Sequence, residues 1–444
     1  MPEALFGLVE REVARRGGGE AELYRVRERV RRYDARGGGI DSIAFSDVSS
    51  LGLRIFRNGR MGFSYGFRDG GDEIARMVEA ALFSADASDP DPAYGLPDPG
   101  GAFPEPSLYD ASWETVPDRE KADFAAELER RTLAFDARLK RVRSGSLVET
   151  VGEVSFRNSA GAEGFRRTSG YVATVESVAE QGDEGQTGYG FGFSRRFSAL
   201  SASVVAEEAG RRAVRMLGAR RLPTGRYAAV LENFAAAELL EVLIPSFLAS
   251  QVSKGKSMLA GKRGHPVASP KVWIHDDPLD PQGSGARAFD GEGSPCRRNV
   301  LVEDGVLKGY LADAFWGRKT GMGTTASCSR PGPKVPPSVG VSNLGIAPGD
   351  QSLPGMLRQA GSGVLLTEFL GIHTADPVSG DFSVGAAGIR FENGEEREPV
   401  RGFAVSGNVL SLLREVTAVG SDFRWFGNLG SPSLAVSEIS VGGE

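Results

Sequence analysis

The chain has 444 residues, a formal net charge of −6 and a pI near 5.5. This length is enough to bury a large core and suggests two domains. The acidic balance argues against a DNA- or RNA-binding surface, which is usually basic. Two cysteines are too few for a disulfide framework, no N-terminal stretch resembles a signal peptide, and the longest apolar run, residues 234–249, is broken by two glutamates and a proline. We therefore expect a cytoplasmic protein that contacts neither nucleic acid nor membrane.

The N-terminal region predicts a helix followed by antiparallel strands. Residues 2–16 carry apolar side chains on one helical face, and three glycines follow them. Residues 22–33 fit a helix by one apolar spacing and a strand by the alternation of arginines with Tyr24, Val26 and Val30, so both remain open at this point. Residues 51–66 predict a hairpin, because Asn58-Gly59 supplies the positive φ angles of a type I′ turn.

The middle of the chain predicts helices around a long antiparallel sheet. Strands are expected throughout residues 146–194. A boundary at Pro223-Thr224-Gly225 gives two domains, residues 1–222 and 223–444. Helices are predicted at residues 72–87, 118–141 and 200–217. A Pro/Gly-rich connector is predicted at residues 89–106.

The second domain predicts one long helix and then mostly β-structure. A strand at residues 227–231 precedes a helix at 233–252, with Asn233 as its N-cap and a kink at Pro245. Asp304-Gly305 and Asn393-Gly394 are two further hairpin turns of the type I′ kind.

A series of motifs in the C-terminal half indicates a family. These motifs are Gly371-Ile372-His373-Thr374, Ser379-Gly380-Asp381-Phe382-Ser383, Glu392-Asn393-Gly394-Glu395 and Pro399-Val400-Arg401-Gly402. The series resembles the TldD/PmbA family, once called modulators of DNA gyrase. The resemblance implies an α+β fold of two domains, the first mixed with antiparallel strands and the second mostly antiparallel β and barrel-like. It also favours the strand for residues 22–33.

The zinc ligands of the family's catalytic members are missing from this chain. Members of the TldD type are zinc peptidases, with a His-Glu-x-x-x-His helix after the first strand of the C-terminal domain and a cysteine ligand near the C-terminus. Here the matching helix, residues 235–243, has no histidine, and the matching segment, residues 422–428, has no cysteine. The chain therefore resembles the PmbA or TldE type, and we expect no catalytic residue, no metal and no cofactor of its own.

The resemblance also implies a dimer that encloses a cavity. The chain would pair with a TldD-like zinc-peptidase subunit as a heterodimer, or with itself as a homodimer, and act in proteolysis of extended peptides. Such peptides would be held by strand addition, which makes little demand on sequence. Substrates implied by the family include leader peptides of modified peptide antibiotics and antitoxin-like proteins. The alternative is a stand-alone peptide-binding or scaffold homodimer without protease activity.

Two segments are candidates for peptide binding. Gly188, Gly190 and Gly192 alternate with three aromatic residues, so one face of a strand there is bare. That face either belongs to an ordinary core strand or lets another backbone approach closely, and the second case makes Gly190 and Gly192 peptide-binding residues.

The second candidate segment comprises Gly380, Asp381, Phe382 and Ser383. Its polar side chains have no identifiable acid-base partner. We favour a turn-capping role for Asp381 and Ser383, and the alternative is that the segment shapes a channel for extended peptides.

Three further patterns favour structural roles. Residues 62–66 match the G-x-S-x-G pattern of serine hydrolases, but they lie in a predicted hairpin arm and not at a strand-to-helix elbow. Cys296 and Cys328 have no evident base for nucleophilic work. The three histidines, His265, His275 and His373, are too dispersed to suggest a metal site.

Overall fold

A computed structural model of the chain describes residues 3–98 and 100–443. The fold is α+β, as predicted, with a long antiparallel sheet in the N-terminal half and a closed barrel in the C-terminal half. Pro2, which the prediction includes in the first helix, and Pro99, within the predicted connector, lie outside the described residues. Within the described part of the chain, no helix is long and apolar enough to cross a membrane. The division at residues 222 and 223 stays a prediction.

Six strands of the N-terminal half form one antiparallel sheet, sheet A, in the order β3-β2-β1-β4-β5-β6. The elements are α1 (Glu3–Arg15), β1 (Glu20–Arg36), β2 (Gly39–Arg57), β3 (Arg60–Gly66), α2 (Gly71–Asp86), α3 (Asp118–Phe135), β4 (Leu139–Asn158), β5 (Glu163–Gln181), β6 (Glu184–Ser194) and α4 (Ala202–Arg215). The β1 segment is a strand, and Asn58 and Gly59 have positive φ angles of 53° and 68° at the predicted hairpin turn.

The C-terminal half contains a closed five-stranded barrel of β7, β14, β15, β16 and β20, because β16 also pairs with β20. A second sheet, sheet D, runs β10-β9-β8-β13-β19-β18. The elements are β7 (Gly225–Leu231), α5 (Asn233–Phe247), α6 (Ala249–Ser253), β8 (Ile274–Asp276), β9 (Asn299–Glu303), β10 (Val306–Leu307), α7 (Ala314–Thr320), β11 (Cys328–Ser329), β12 (Ser338–Val339), β13 (Leu344–Ile346), α8 (Leu353–Ala360), β14 (Gly363–Leu370), β15 (Asp381–Glu392), β16 (Glu395–Asn408), α9 (Val409–Arg414), β17 (Val416–Val419), β18 (Arg424–Phe426), β19 (Leu429–Ser431) and β20 (Leu434–Gly442).

Helix α5 packs its apolar side chains into the main core of the C-terminal half. Leu239, Leu240 and Leu243 are each at most 1% exposed there, beside the barrel strands β7 and β14. These contacts fix the position of the polar residues of α5 relative to β7 and β14. This helix forms one boundary of the site described below.

Three details of the predicted helices are wrong. Helix α3 ends at Phe135, six residues before the predicted end at Arg141, because Leu139 and Arg141 pair with β5 as part of β4. Glu232, and not Asn233, is the N-cap of α5. The predicted single helix 233–252 is interrupted at Leu248, whose extended backbone separates α5 from α6 three residues after Pro245.

A buried ion network joins sheet A to the C-terminal half. Arg54 on β2 donates to Glu22 on β1 at 2.6 Å and to Glu292 at 2.7 Å. Arg330 donates to Glu22 from the other side. Burial alone raises the pKa of Glu22, but Arg54 and Arg330 outweigh burial and hold that pKa below its ordinary value. The two halves are therefore connected through charged side chains that are at most 10% exposed.

Candidate functional site

A groove runs along the free edge of β6, between sheet A and the C-terminal half. Its largest part is a cavity of about 720 Å³ between residues 191–196 on one side and Phe423, Arg424 and Trp425 on the other. Two smaller cavities, of about 250 and 200 Å³, continue it past Tyr189 to Phe234 and Glu238 on α5. Neighbouring cavities share the lining residues Phe191 and Tyr189, and we call the three together the β6 groove. It lies between two sheet edges, because β6 is the last strand of sheet A and β18 the last of sheet D.

The bare glycine face of β6 allows α4 to lie directly against the strand. A Cβ atom on Gly190 would lie 2.0 Å from the Val205 carbonyl oxygen, and one on Gly188 would lie 2.1 Å from the Ala209 carbonyl oxygen. The close backbone approach indicated by the glycines is thus made by a helix of this chain. Because α4 covers that face, a peptide can reach Gly190 and Gly192 only at the strand edge, and their peptide-binding role stays a prediction.

The aromatic residues of β6 line the groove. Tyr189 is 43% exposed, and Phe191 and Phe193 are half-buried. Phe234 on α5 lies 5.2 Å from Phe426 on β18, measured between ring centroids, so the opposite wall is also aromatic. Such a surface suits apolar side chains of an extended ligand.

Arg195 fixes one end of the groove. Its guanidinium donates to the carbonyl oxygens of Pro281 at 3.2 Å and Gly283 at 2.9 Å, and to that of Ser169 on β5 at 3.1 Å. Burial lowers the pKa of Arg195 to about 10, with the nearby Arg166 adding to the decrease. The residue therefore connects sheet A to the loop at residues 281–283 through carbonyl dipoles and not through a carboxylate.

Glu208 and Arg424 form an ion pair across the groove. Glu208, on α4, accepts from Arg424, on β18, at 2.7 and 2.9 Å. The same two side chains bind the outer edge of β6, where the Phe191 amide donates to Glu208 at 3.4 Å and its carbonyl oxygen accepts from Arg424 at 2.5 Å. An added β-strand would offer the same pair of hydrogen bonds to that residue. The Glu208–Arg424 pair thus makes the hydrogen bonds to Phe191 that a further strand beside β6 would make.

Glu238 is the one acidic residue of α5 that reaches the groove. Its carboxylate accepts the Phe369 amide at 2.9 Å. Burial raises the pKa of Glu238 to about 7, and the carboxylates of Glu368 and Glu241 add to the rise, while the Phe369 amide opposes it. Glu238 therefore exchanges its proton near neutral pH.

The donors around α5 do not fit the zinc that the TldD type carries. The buried face of α5 presents Ala235, Ala236 and Ala237, which have no donor atoms. The nearby carboxylate of Asp422 is occupied by the Ser433 amide at 2.9 Å and the Ser433 hydroxyl at 2.7 Å. Across residues 3–98 and 100–443 there is no group of three His, Cys, Asp or Glu side chains suited to a metal ion.

The segment from Gly380 to Ser383 is not among the residues that line the β6 groove. Asp381 accepts the Asn408 side-chain amide at 2.8 Å, and Asn408 in turn caps the start of α9. Phe382 is buried against Phe369, and Ser383 is exposed on β15. The structure does not bring this segment together with Gly190 and Gly192. A peptide-binding role for these four residues stays a prediction.

The surroundings of Ser64, Cys296 and Cys328 fit structural roles and not catalytic ones. Ser64, of the G-x-S-x-G match, lies on β3 and donates to the Met77 carbonyl oxygen at 2.7 Å. Burial raises the pKa of Cys296 to about 12 and that of Cys328 well above its usual value, so both are thiols and not thiolates.

The histidines differ from one another in burial. His265 and His373 are exposed. His275 is buried on β8, and burial lowers its pKa to about 4, with Arg298 contributing. The three lie on separate parts of the fold and not around a common site.

Sequence reasoning missed the Glu208–Arg424 pair. Arg424 lies within residues 422–428, a segment already of interest because it lacks the family's cysteine. Glu208 gave no signal beyond its place on an amphipathic helix, because its partner is 216 residues away.

The protein is of the α+β class, with a six-stranded sheet joined to a closed barrel. Its main concave surface is the groove at β6, between the two halves of the chain. Comparison with protein families gives matches to the PmbA/TldA metallopeptidase domain 1 at residues 21–85, the central domain at 111–217 and the C-terminal domain at 224–443. The chain belongs to the PmbA/TldD family.

Relatives with names and solved structures agree with this family. Metalloprotease PmbA of Escherichia coli O157:H7 is 27% identical over 92% of this chain and 89% of its own length. A metalloprotease of Methanothermobacter thermautotrophicus is 30% identical over 87% of this chain and 85% of its own. The crystal structure of a proposed DNA gyrase modulator from Thermotoga maritima superposes with a TM-score of 0.90 at 26% identity, covering 98% of this chain and 100% of that one.

Proposed function

We propose that this chain is a PmbA/TldE-type subunit of a cytoplasmic TldD/TldE-type metallopeptidase. It holds an extended peptide in the β6 groove and completes a chamber with a zinc-bearing paralogue, and it has no catalytic zinc of its own. The observation that carries the proposal is the outer edge of β6, where side chains bind the Phe191 backbone in place of a strand. A peptide backbone makes those hydrogen bonds with little regard to sequence.

The α5 helix supports the non-catalytic part of the proposal. Zinc peptidases need two helical histidines one or two turns apart and a third ligand. Here α5 presents alanines where such ligands would be needed, and Glu238 is bound to a backbone amide. The general base of a zinc peptidase takes a proton from a metal-bound water. No histidine lies beside Glu238 on α5 to hold such a metal.

The first test is reconstitution. The purified chain is mixed with a co-encoded paralogue that carries His-Glu-x-x-x-His, and cleavage of an unstructured peptide is followed. We expect the mixture to cleave faster than the paralogue alone, and a mixture no faster than the paralogue contradicts the subunit role. Zinc content is measured on the tag-free chain by elemental mass spectrometry, and about one zinc per chain contradicts the non-catalytic assignment.

The second test addresses the groove directly. Val204 lies on the groove wall and is 61% exposed, and Val335, 49% exposed, lies away from the groove. Val204→Asp places a charge in the apolar wall, and at the first turn of α4 it does not harm the helix. We expect Val204→Asp to weaken binding of a fluorescent unstructured peptide at least about tenfold, while Val335→Asp binds as the unmodified chain does. Equal binding by all three contradicts the groove as the peptide site.

The rival function is a stand-alone peptide-binding or scaffold homodimer without protease activity. One observation favours it, namely that this chain forms the β6 groove without any residue of a second subunit. Peptide binding through the groove without any gain of activity in the reconstituted mixture is the outcome that selects this rival.

A further inference from the structure

The largest cavity of the β6 groove has a positively charged lining. Arg195, Arg196 and Arg424 line it, and no aspartate or glutamate is among the described residues that do so. Arg424 is neutralised by Glu208, at 2.7 Å. The charges that a ligand in this cavity meets without a counter-ion are therefore those of Arg195 and Arg196.

Arg195 holds its charge in a fixed position without a carboxylate partner. Four of its five N–H groups donate to carbonyl oxygens, those of Ser169, Pro281, Gly283 and Ser284. These carbonyl groups orient the guanidinium but do not cancel its charge. Burial lowers the pKa of Arg195 to about 10, so the side chain remains a cation at neutral pH.

Arg196 is exposed and free to contact a ligand. Within residues 3–98 and 100–443 its side chain makes no ion pair and no hydrogen bond. Its backbone amide donates to the Ser194 hydroxyl at 3.1 Å, which fixes the point from which the side chain extends. Ser194 is the last residue of β6, so a peptide strand added to β6 leaves the sheet beside these two arginines.

The opposite end of the groove carries the opposite charge. Glu232, Glu238 and Glu368 line the cavity of about 250 Å³ there. Both arginines of that cavity are already paired, Arg212 with Glu208 and Arg215 with Glu232. Among the described residues this leaves Glu238 and Glu368 without an ion pair, so a carboxylate is repelled at this end and attracted at the arginine end. A cleft lined by one sign of charge concentrates the field acting on a ligand.

We propose that Arg195 and Arg196 bind a carboxylate of the peptide held in the β6 groove, an inference that rests on the proposed peptide-binding function. Arg196 contacts the carboxylate, since a guanidinium suits it through two parallel hydrogen bonds. Arg195 is a positioning residue that supplies charge from behind. The carboxylate is that of the peptide C-terminus or of an aspartate or glutamate side chain. A bound C-terminus would make the peptide run parallel to β6, because it would end beside Ser194.

The first test varies only the carboxylate. One unstructured peptide without acidic side chains is made with a free C-terminus, with a C-terminal amide, and as the amide with its last residue replaced by glutamate. Each carries an uncharged fluorescent label at its N-terminus, and binding to the full chain is measured by anisotropy at low salt. We expect a form with a carboxylate to bind at least about tenfold tighter than the plain amide.

The three peptides also separate the two sources of the carboxylate. Tighter binding of the free C-terminus alone assigns the terminal carboxylate, and tighter binding of the glutamate form alone assigns a side chain. Tighter binding of both shows that the site accepts either. Equal affinity of the three forms, or tightest binding of the plain amide, overturns the carboxylate site but leaves the groove as the peptide site. No binding by any form contradicts the groove and the carboxylate site together.

The second test assigns the site to Arg196. We expect Arg196→Gln to keep the circular dichroism of the unmodified chain, because the side chain is exposed, and to reduce the preference for a carboxylate to about threefold or less. Arg68→Gln is the matched control. Arg68 is also exposed and unpaired in the described part of the chain, and it lies just after β3, at the opposite edge of sheet A. An unchanged preference in Arg196→Gln, or an equal loss in Arg68→Gln, overturns the proposal.

Discussion

Arg424 and Glu208 meet at 2.7 Å across the groove and together bind the backbone of Phe191 on the outer edge of β6. The arginine belongs to β18 of sheet D and the glutamate to α4, which packs on sheet A. One ion pair therefore spans the two halves of the chain at the point where a peptide strand would be added. A peptide that occupies the full groove has to displace these side chains from Phe191.

This relationship predicts that removing Arg424 improves peptide binding. Arg424→Ala leaves the Phe191 carbonyl oxygen free, so a peptide need not compete for it. A hydrogen bond from a charged group contributes about 1.5–3 kcal/mol, so we expect an affinity about 10–150-fold higher, measured by fluorescence anisotropy with an unstructured peptide. Arg318→Ala is the control, because Arg318 also donates to backbone carbonyls between the halves, at Gly95, but outside the groove. Weaker binding by Arg424→Ala would mean that the arginine holds the peptide.

A second prediction concerns the contact between α4 and β6. Gly190→Ala places a Cβ atom 2.0 Å from the Val205 carbonyl oxygen, so α4 must move. We expect the free energy of unfolding to fall by about 1–3 kcal/mol, as for other overpacked cores, measured by urea denaturation. Gly185→Ala on the same strand is the control, because its Cβ meets nothing within 4 Å. Equal stability of the two variants would contradict the close packing of α4 on this strand.

The buried network around Arg54 gives a third prediction. Arg54→Met leaves Glu22 and Glu292 buried with one fewer positive partner. Breaking a buried pair in this way costs about 3–5 kcal/mol, and we expect a fall of that size in the free energy of unfolding. Arg27→Met removes an exposed pair with Asp47, and its effect should be much smaller. Equal urea midpoints of unfolding for Arg54→Met and Arg27→Met would show that the buried network contributes little to stability.

The raised pKa of Glu238 makes stability depend on pH. Burial moves this pKa from 4.5 to about 7, so between these values the folded chain binds more protons than the unfolded chain. The free energy of unfolding therefore falls as pH rises through this window. Glu238→Gln removes this contribution, and we expect it to be more stable than the unmodified chain by about 1–3 kcal/mol at about pH 8, with the difference much reduced at about pH 5.

The control for that experiment is Glu10→Gln, because Glu10 is exposed on α1 and is not among the groups that shift the pKa of Glu238. Urea denaturation of the three proteins at both pH values gives the comparison. A stability difference between Glu238→Gln and the unmodified chain that is the same at both pH values would show that Glu238 does not titrate in this range.

Local chemistry explains which parts of the fold were predictable. Asn58-Gly59, Asp304-Gly305 and Asn393-Gly394 all have positive φ angles, because the turn preference of these residues is independent of the rest of the chain. The end of α3 was mispredicted since the pairing of Leu139 with Ala179 on β5 overrides helical propensity. The strand at residues 22–33 required the family resemblance, as its periodicity fits both states.

The candidate site was predictable only in part. The lack of histidine on α5 is visible in the sequence, and the glycines of β6 left open an ordinary core strand and a close backbone approach. Neither shows that α4 is the approaching element, nor that the free edge of β6 faces β18. Those facts depend on contacts between residues such as Glu208 and Arg424, which are too distant in sequence for any local pattern to connect.

The Arg54 network also has a consequence for synthesis of the chain. A ribosome completes β1 and β2 long before residues 292 and 330 emerge, so nascent sheet A holds Glu22 and Arg54 without Glu292 or Arg330. Until those residues arrive, the charges of this region remain hydrated and the sheet lacks the contacts that close it against the C-terminal half. The last steps in maturation of the N-terminal half thus wait for translation of the C-terminal half.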